Sequence, residues 1–338
     1  MAGCYLLATE QAVERVPRRA ELAPLTQGRG VSLDKVVSQR LWLTPYSRNV
    51  LLLTVAFGLS QSFPNGARAI DIFPRDYVPF PAGTNLTALY YLYSDSNMLN
   101  LAGGETIRNG TKLQSNTGVL RQIYYGDLGG HSWAAQLLLP VATVNGEIAG
   151  NHLQGASGLG DVVASWGISL LPHVQPDRNV GIVLYTSFPT GNYRSDRTLN
   201  VGSNRWSFDT QIGYTQALGQ HFWFDAAADA ILYTLNRDVG PGHATLAQQP
   251  SYQAQVWFSY VPGLRSLISV GAAAQFGGVQ SIDQISNGLK TESEQIRLGY
   301  WYAVTPAFHL AGVVSHDLHA VGGFPQTIGL TLRAVYLF

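Results

Sequence analysis

The stretch FPQTIGLTLRAVYLF, residues 324–338, decides the fold class because it reads as one strand that runs to the last residue. Apolar side chains occupy every second position: Ile328, Leu330, Leu332, Ala334, Tyr336 and Phe338. The residues between them form a mixed set that includes Thr331 and Arg333. A period of two predicts a β-strand with one apolar and one mixed face. Such a strand fits either the core of a soluble sandwich or the closing strand of a transmembrane barrel, whose outer face lies in lipid.

The composition of the 338-residue chain favours the barrel. Its 21 basic and 21 acidic residues give no net charge, which argues against a nucleic-acid-binding protein. Charged residues make up 12% of the chain, about half the usual globular share, while aromatic residues reach 11%. Low charge without long apolar runs argues against a helical membrane protein and fits a barrel. Since Cys4 is the one cysteine, no disulfide or cysteine metal site forms within the chain.

The first 69 residues read as a leader. Residues 1–47 contain several arginines and no strand-like alternation, and we expect translation to start within this stretch, at about residue 40. In residues 48–69 a basic flank precedes the apolar run 50–59, and Ala67-Arg68-Ala69 supplies an A-x-A site. These features predict a secretory signal peptide that is cleaved after Ala69. The alternative is a disordered or helical N-terminal extension.

Residues 84–338 divide into twelve predicted strands, an even number, as in single-chain bacterial barrels. We predict them at 84–96, 113–126, 131–144, 157–171, 179–190, 204–218, 221–236, 249–261, 265–277, 290–304, 307–317 and 324–338. The connections alternate between long and short, which predicts an outer-membrane barrel with extracellular loops and tight periplasmic turns. A soluble β-sandwich or β-helix is the alternative.

The strand parity predicts which side chains point into the barrel, because charges in a membrane barrel are confined to the lumen face. The ionisable set is Asp209, Asp225, Asp229, Arg297 and Arg333. These residues form either a polar track for a solute or, as we expect, ion pairs that brace the barrel across its lumen. The aromatic set is Tyr91, Tyr185, Trp257 and Trp301. Inward aromatic rings either bind apolar or aromatic solutes or simply pack the lumen.

Two further features have alternative interpretations. Residues 70–83 are proline-rich and cannot form a central strand, so they are either a plug in the lumen or, as we expect, a periplasmic lead-in. Asp161 lies at a strand start on the inward parity. It is either a lumen carboxylate on the solute path or, as we expect, a turn residue that binds local backbone.

Three short motifs resemble the family of outer-membrane channels named for the MetA pathway of phenol degradation. The first is 75–85, with Asp76, Tyr77, Pro79 and Gly83; the second is Gly158-Leu159-Gly160-Asp161; the third is 188–193, with Pro189, Thr190 and Gly191. The resemblance covers residues 75–338. It implies an outer-membrane transporter, in a wider group that includes long-chain fatty-acid transporters.

Together these observations predict an all-β transmembrane barrel for passive uptake of small hydrophobic or aromatic compounds, with no cofactor or metal. The expected partners are outer-membrane lipid, the solute, and the barrel-assembly machinery acting on the strand that ends in Phe338. The alternative is a barrel with a closed lumen that serves as a lipid hydrolase or a structural protein. Ser315, His316 and Asp317 supply hydrolase residue types, but neighbours on a strand face opposite sides and cannot form a triad.

Overall fold

The computed structural model describes residues 70–263 and 265–338, and the predicted leader and signal peptide lie outside these residues. The strands are β1 (Asn85–Ser96), β2 (Leu99–Asn100), β3 (Thr106–Ile107), β4 (Lys112–Leu128), β5 (His131–Ile148), β6 (Asn151–Leu159), β7 (Val163–Ser169), β8 (Arg178–Ser187), β9 (Ser207–Leu218), β10 (Phe222–Tyr233), β11 (Asn236–Val239), β12 (Ala244–Gln248), β13 (Ser251–Gly263), β14 (Ser266–Gly277), β15 (Gln280–Ile282), β16 (Ile285–Ser286), β17 (Glu292–Ala303), β18 (Phe308–Val321) and β19 (Ile328–Leu337). Within the described ranges, no helix is long and apolar enough to cross a membrane.

The long strands close into an antiparallel barrel with twelve strand positions, which confirms the predicted fold. The order around the barrel is β1, β4, β5, β7, β8, β9, β10, β13, β14, β17, β18 and β19. The ring closes where the last strand pairs with the first, from Leu86 opposite Leu337 to Asp95 opposite Ile328. The backbone N–H of Asn85 donates to the carbonyl of Phe338 at 2.9 Å, so the chain is paired to its final residue.

The polarity of the barrel is the reverse of that in a soluble protein. In β9 the side chains of Asp209 and Gln211 are 7% and 1% exposed, whereas those of Phe208 and Ile212 are 43% and 48% exposed. The same alternation of buried polar and exposed apolar residues runs along β13 and β17. A continuous apolar outer band would promote association in water but matches the hydrocarbon of a bilayer. The outer surface therefore fits lipid and the inner surface is polar.

The two ends of the barrel differ in their connections. We call the end with the connections 129–130, 170–177, 219–221 and 304–307 the short-turn end, and the opposite end the long-loop end. At the long-loop end Leu99, Leu199, Leu289 and Phe324 come from four different connections and are at most 4% exposed. They belong to one hydrophobic cluster, which we call the loop cluster. Burial of this cluster stabilises the packing of the long connections against one another.

Two predicted boundaries near the third connection, at 145–156, are wrong. Residues 145–156 were expected to form a loop, but β5 and β6 pair through most of this stretch, from Ile148 opposite Asn151 onward. The turn is tight because Ala149 and Gly150 both adopt positive φ, of 50° and 81°, as a two-residue hairpin turn requires. The predicted strand 157–171 is interrupted at 160–162, between β6 and β7.

Candidate functional site: the lumen and its N-terminal segment

Residues 70–83, which we call the N-terminal segment, enter the barrel from the short-turn end. The backbone N–H of Ile70 lies 3.3 Å from the Asp209 carboxylate, and that of Arg75 lies 3.0 Å from the Asp225 carboxylate. Asp209 is near the long-loop end of β9 and Asp225 near the short-turn end of β10. The segment therefore follows the inner wall over much of its height. These contacts favour the plug alternative over the lead-in that we expected.

Two arginines of the wall pair with aspartates of this segment. Arg297 Nη2 donates to Asp71 Oδ1 at 2.7 Å, and Arg333 Nη1 donates to Asp76 Oδ1 at 2.8 Å. The Arg333 guanidinium also lies 4.0 Å from the centroid of the Phe73 ring. The expected ion pairs between these arginines and wall aspartates are not among the described contacts. Aspartates of the N-terminal segment bind the two arginines instead.

Tyr77 fills a groove that glycine creates in the wall. A Cβ atom at Gly213 would lie 2.0 Å from the Tyr77 ring, and one at Gly181 would lie 3.1 Å from it. The Tyr77 hydroxyl donates to Gln211 Oε1 at 2.8 Å, and Asn179 Nδ2 donates to the Tyr77 carbonyl at 2.8 Å. Burial raises the pKa of Tyr77 above its usual value, so the phenol keeps the proton that it donates.

Trp257 points inward, as its parity predicts, and holds the segment near its start. Its side chain is 2% exposed, and its Nε1 donates to the carbonyl of Ile72 at 3.0 Å. It packs with Ile72 and Val313 in one buried hydrophobic cluster. A Cβ atom at Gly271, which pairs with Trp257 on the neighbouring strand β14, would lie 2.5 Å from the indole, so the absence of a side chain there makes room for this ring.

A cavity of about 210 Å³, which we call the chamber, lies between the N-terminal segment and the loop cluster. Much of its wall is apolar, and Phe73, Tyr90, Leu138, Trp257, Ala273 and Phe324 contribute to it. A second cavity of about 80 Å³ lies toward the short-turn end, where Tyr125, Gln136 and Tyr185 line it. Ile70, Asp71 and Ile72 line both cavities. The N-terminal segment therefore separates them.

The polar side chains of the chamber wall form hydrogen bonds largely with one another. Gln295 Nε2 donates to Asp317 Oδ1 and to Gln326 Oε1, both at 2.8 Å. Ser315 Oγ donates to the same oxygen of Gln326 at 2.8 Å. His316 is exposed and its Nδ1 lies 2.7 Å from the Thr327 carbonyl, so Ser315, His316 and Asp317 do not form a triad. An apolar solute would leave few polar groups without a partner here.

The aromatic predictions have different outcomes. Tyr185 and Trp301 point inward, and Trp301 lies beside His309 near the short-turn end, 4.7 Å between ring centroids. Tyr91 was predicted to face inward, and this is wrong. Its side chain is 43% exposed, and its hydroxyl donates to Asn116 Oδ1 on the outer face. The inward residue is Tyr90, whose hydroxyl accepts a hydrogen bond from Arg121, because β1 turns even-numbered residues toward the lumen.

Asp161 accepts hydrogen bonds from the backbone of a long connection and does not line the chamber. Its Oδ1 accepts the N–H of Gly191 at 2.8 Å, and its Oδ2 accepts the N–H of Ser203 at 2.7 Å. Thr190 Oγ1 accepts the N–H of Val162 at 3.0 Å, so the second and third sequence motifs meet here. The contacts favour the backbone-binding alternative, although the bound residues are distant in sequence.

Arg205 lies in the same connection, where its side chain is 2% exposed. Its guanidinium lies 4.6 Å from the Tyr233 ring centroid. Burial lowers the pKa of Arg205 to about 10, and the group stays charged at neutral pH.

The residues that sequence reasoning missed are mainly amides. Gln211, Gln253 and Gln255 contact the N-terminal segment, through Ile70, Asp71 and Ile72. Their alternation with apolar residues was visible in the sequence, but amides carry no charge and so were not selected as site residues. Asp71 was missed because it lies outside the predicted strands.

Comparisons with known proteins place this barrel among outer-membrane channels. No curated protein matches the sequence significantly. An outer-membrane channel of Pseudomonas putida F1 shares 29% identity, with a TM-score of 0.75 over 79% of this chain and 100% of that chain. The toluene transporter TbuX of Ralstonia pickettii shares 8% identity, with a TM-score of 0.43 over 83% of this chain and 100% of that chain, a likeness too weak to bear on function. A family model described as MetA-pathway of phenol degradation matches residues 96–334, and this chain, an outer-membrane β-barrel, therefore belongs to that family.

Proposed function

We propose that the barrel is a channel for passive uptake of small hydrophobic or aromatic compounds, with the chamber as its solute-binding site. The observation that carries this proposal is the chamber itself, a cavity of about 210 Å³ with much of its wall apolar, inside a membrane barrel. An engineered apolar cavity of about 150 Å³ in another protein holds benzene. The chamber is therefore large enough for a single aromatic ring with a small substituent.

The chemistry of the wall supports the same class of solute. Transfer of apolar surface out of water contributes about 25 cal/mol per Å², so entry of an aromatic ring is favourable without coupled energy. Phe73, Tyr90 and Trp257 offer ring faces and edges for aromatic contacts. A charged solute would lose its hydration along the apolar part of this wall, which is costly.

Residues 272 and 273 provide a matched pair of variants for the test. Ala273 lines the chamber and is 7% exposed, whereas Ala272 next to it on β14 faces outward. Ala273→Phe fills the chamber with a ring, and Ala272→Phe adds the same ring to the lipid face. We expect proteoliposomes with Ala273→Phe to lose uptake of toluene, while those with Ala272→Phe take it up like the unsubstituted protein. Equal uptake by both variants would refute the chamber as the solute site.

We also propose that the protein is exported by the signal peptide and assembled through its C-terminal strand. The Phe338 side chain is 63% exposed at the end of the strand that closes the barrel, where an assembly factor can reach it. Deleting Phe338 should slow the appearance of the heat-modifiable barrel in cells. Unchanged assembly would contradict this role.

A further inference from the structure

Two wall carboxylates lie buried without a cation. Asp209 on β9 and Asp229 on β10 face the lumen and are 7% and 5% exposed. Neither is in an ion pair with a side chain of the described residues, and Oδ1 of each has no hydrogen-bond partner there. A buried carboxylate is expensive unless a positive charge or several donors compensate it. A cation beside them would stabilise the charged form of both side chains, and the described residues of the wall do not supply one in an ion pair.

The group next to them is the backbone nitrogen of Ile70. It lies 3.3 Å from Asp209 Oδ2. The Ile70 carbonyl accepts hydrogen bonds from Gln211 Nε2 at 2.8 Å and from Gln255 Nε2 at 3.2 Å, and Gln255 Nε2 is also 3.3 Å from Asp229 Oδ2. In the strand register Asp229 is opposite Gln211, whose side chain binds the Ile70 carbonyl, so both aspartates lie close to Ile70. The two carboxylates and the Ile70 nitrogen thus share one polar pocket.

Ile70 lies inside the barrel, well away from the end at which the segment enters. The segment enters at the short-turn end, where the N–H of Gly83 donates to the carbonyl of Tyr125 at 2.8 Å. It then follows the wall as far as Asp209, the third residue from the long-loop end of β9. The backbone nitrogen of Ile70 therefore lies next to a wall carboxylate inside the lumen.

We propose that Asp209 and Asp229 form a binding site for the α-ammonium group of Ile70, which is created when the leader is removed after Ala69. Hydrolysis of the Ala69–Ile70 peptide bond by a signal peptidase consumes one water, whose hydroxyl joins the Ala69 carbonyl while the nitrogen of Ile70 takes the proton. A free α-amino group has a pKa of about 7.7–8.0, so at neutral pH most of it binds a further proton and becomes an ammonium.

The ammonium fits this pocket better than the amide that it replaces. A backbone amide nitrogen donates one hydrogen bond, whereas an ammonium donates three and carries the missing positive charge. Oδ2 of Asp209 lies 3.3 Å from the nitrogen, and the Oδ1 atoms of Asp209 and Asp229 have no hydrogen-bond partner among the described residues. Processing would in this way fasten the start of the N-terminal segment inside the barrel. The ammonium forms only if the leader is removed as proposed above, whichever solute the channel carries.

The first experiment determines the N-terminus of the protein purified from outer membranes by mass spectrometry. We expect the mature chain to begin at Ile70, and a start at any other residue would overturn the proposal. The second experiment treats the folded barrel with an amine-acylating ester and quantifies label on the N-terminal peptide. Each unit by which an ion pair raises the pKa of an amine lowers its reactive fraction tenfold. We therefore expect at least about tenfold slower labelling in the folded than in the unfolded protein.

Three variants separate an ion pair from simple burial of the amine. Asp209→Asn with Asp229→Asn keeps the shape of the pocket but removes its charge, and Ile70 should then be labelled at least about tenfold faster than in the unsubstituted barrel. Asp317→Asn removes another buried inward carboxylate, one bound to Gln295 and Gln326, and should leave the labelling unchanged. Inserting one glycine after Ala69 moves the ammonium by about 3.8 Å, leaves every strand intact and should also remove protection.

Heat-modifiable migration on a gel reports that each barrel is folded. Full protection in the double aspartate variant or in the glycine-insertion variant would overturn the proposal, since burial alone would then account for it. Equal labelling of folded and unfolded unsubstituted protein would overturn it as well.

Discussion

The substitution Gly213→Ala should open the barrel by removing Tyr77 from its groove. The added Cβ would lie 2.0 Å from the tyrosine ring, far inside van der Waals contact. Gly213 pairs with Gly181 on one side and Ala227 on the other. The wall therefore cannot move outward here without breaking the backbone hydrogen bonds of β9 to both neighbouring strands. The ring has to leave, and the N-terminal segment loses its contacts around residue 77.

The contacts of Tyr77 set how much free energy the seated segment would lose. Burial of a large apolar side chain contributes about 1.5–3 kcal/mol, and Tyr77 is 9% exposed. The hydrogen bonds to Gln211 and from Asn179 contribute about 1 kcal/mol each. The total is about 3.5–5 kcal/mol, and every 1.4 kcal/mol changes an equilibrium constant about tenfold. Even the lower value shifts the balance between seated and displaced segment by about three-hundredfold.

Single-channel recording in planar bilayers tests this directly. The unsubstituted barrel should conduct little, and Gly213→Ala should show frequent open states. Gly299→Ala is the matched control, because a Cβ at this inward glycine would lie 3.4 Å from Trp257, an ordinary contact. A folded Gly213→Ala barrel that conducts no more than the control would refute the idea that the segment closes the lumen.

Three further outcomes are expected. Trp257→Phe removes the hydrogen bond to the Ile72 carbonyl and should destabilise the seated segment by about 1 kcal/mol, which protease protection of residues 70–77 in the folded barrel would report. Asp161→Asn weakens the acceptor that holds the N–H groups of Gly191 and Ser203, so the connection 188–206 should be cleaved faster by protease added to intact cells, with no change in barrel migration. Tyr91→Leu exchanges one lipid-facing apolar residue for another, and uptake of toluene should be unchanged; a loss would contradict its outward orientation.

The sequence predicted the wall of the barrel well because the membrane imposes the same rule on every strand. Charged residues such as Asp225 and Arg297 had one permitted face, and their inward orientation follows from strand parity alone. That rule does not apply to Tyr91, because tyrosine is tolerated on both the lipid-facing and the lumen-facing side of a strand. In a strand with tyrosines at consecutive positions, 90 and 91, the side chains gave no indication of which one points inward.

The contents of the lumen could not be predicted in the same way. A segment without regular structure has no period, so nothing in residues 70–83 specified which wall atoms it would meet. Gly213 illustrates the limit: its neighbour Tyr77 is 136 positions away in the sequence, and their fit depends on the closed barrel. The aspartates of the segment were likewise indistinguishable from solvent-exposed charges until Asp71 and Asp76 proved to face Arg297 and Arg333.

The charges of the lumen also restrict how a solute can pass. Carboxylates occupy the wall at β9 and β10, arginines occupy it at β17 and β19, and the N-terminal segment lies between the two groups. Complete expulsion of the segment would leave Arg297 and Arg333 without their aspartates, and such groups would draw in water. A hydrated, charged lumen suits ions but not an aromatic ring. Passage of an apolar solute therefore requires a local shift of residues next to the chamber, with both arginine pairs intact.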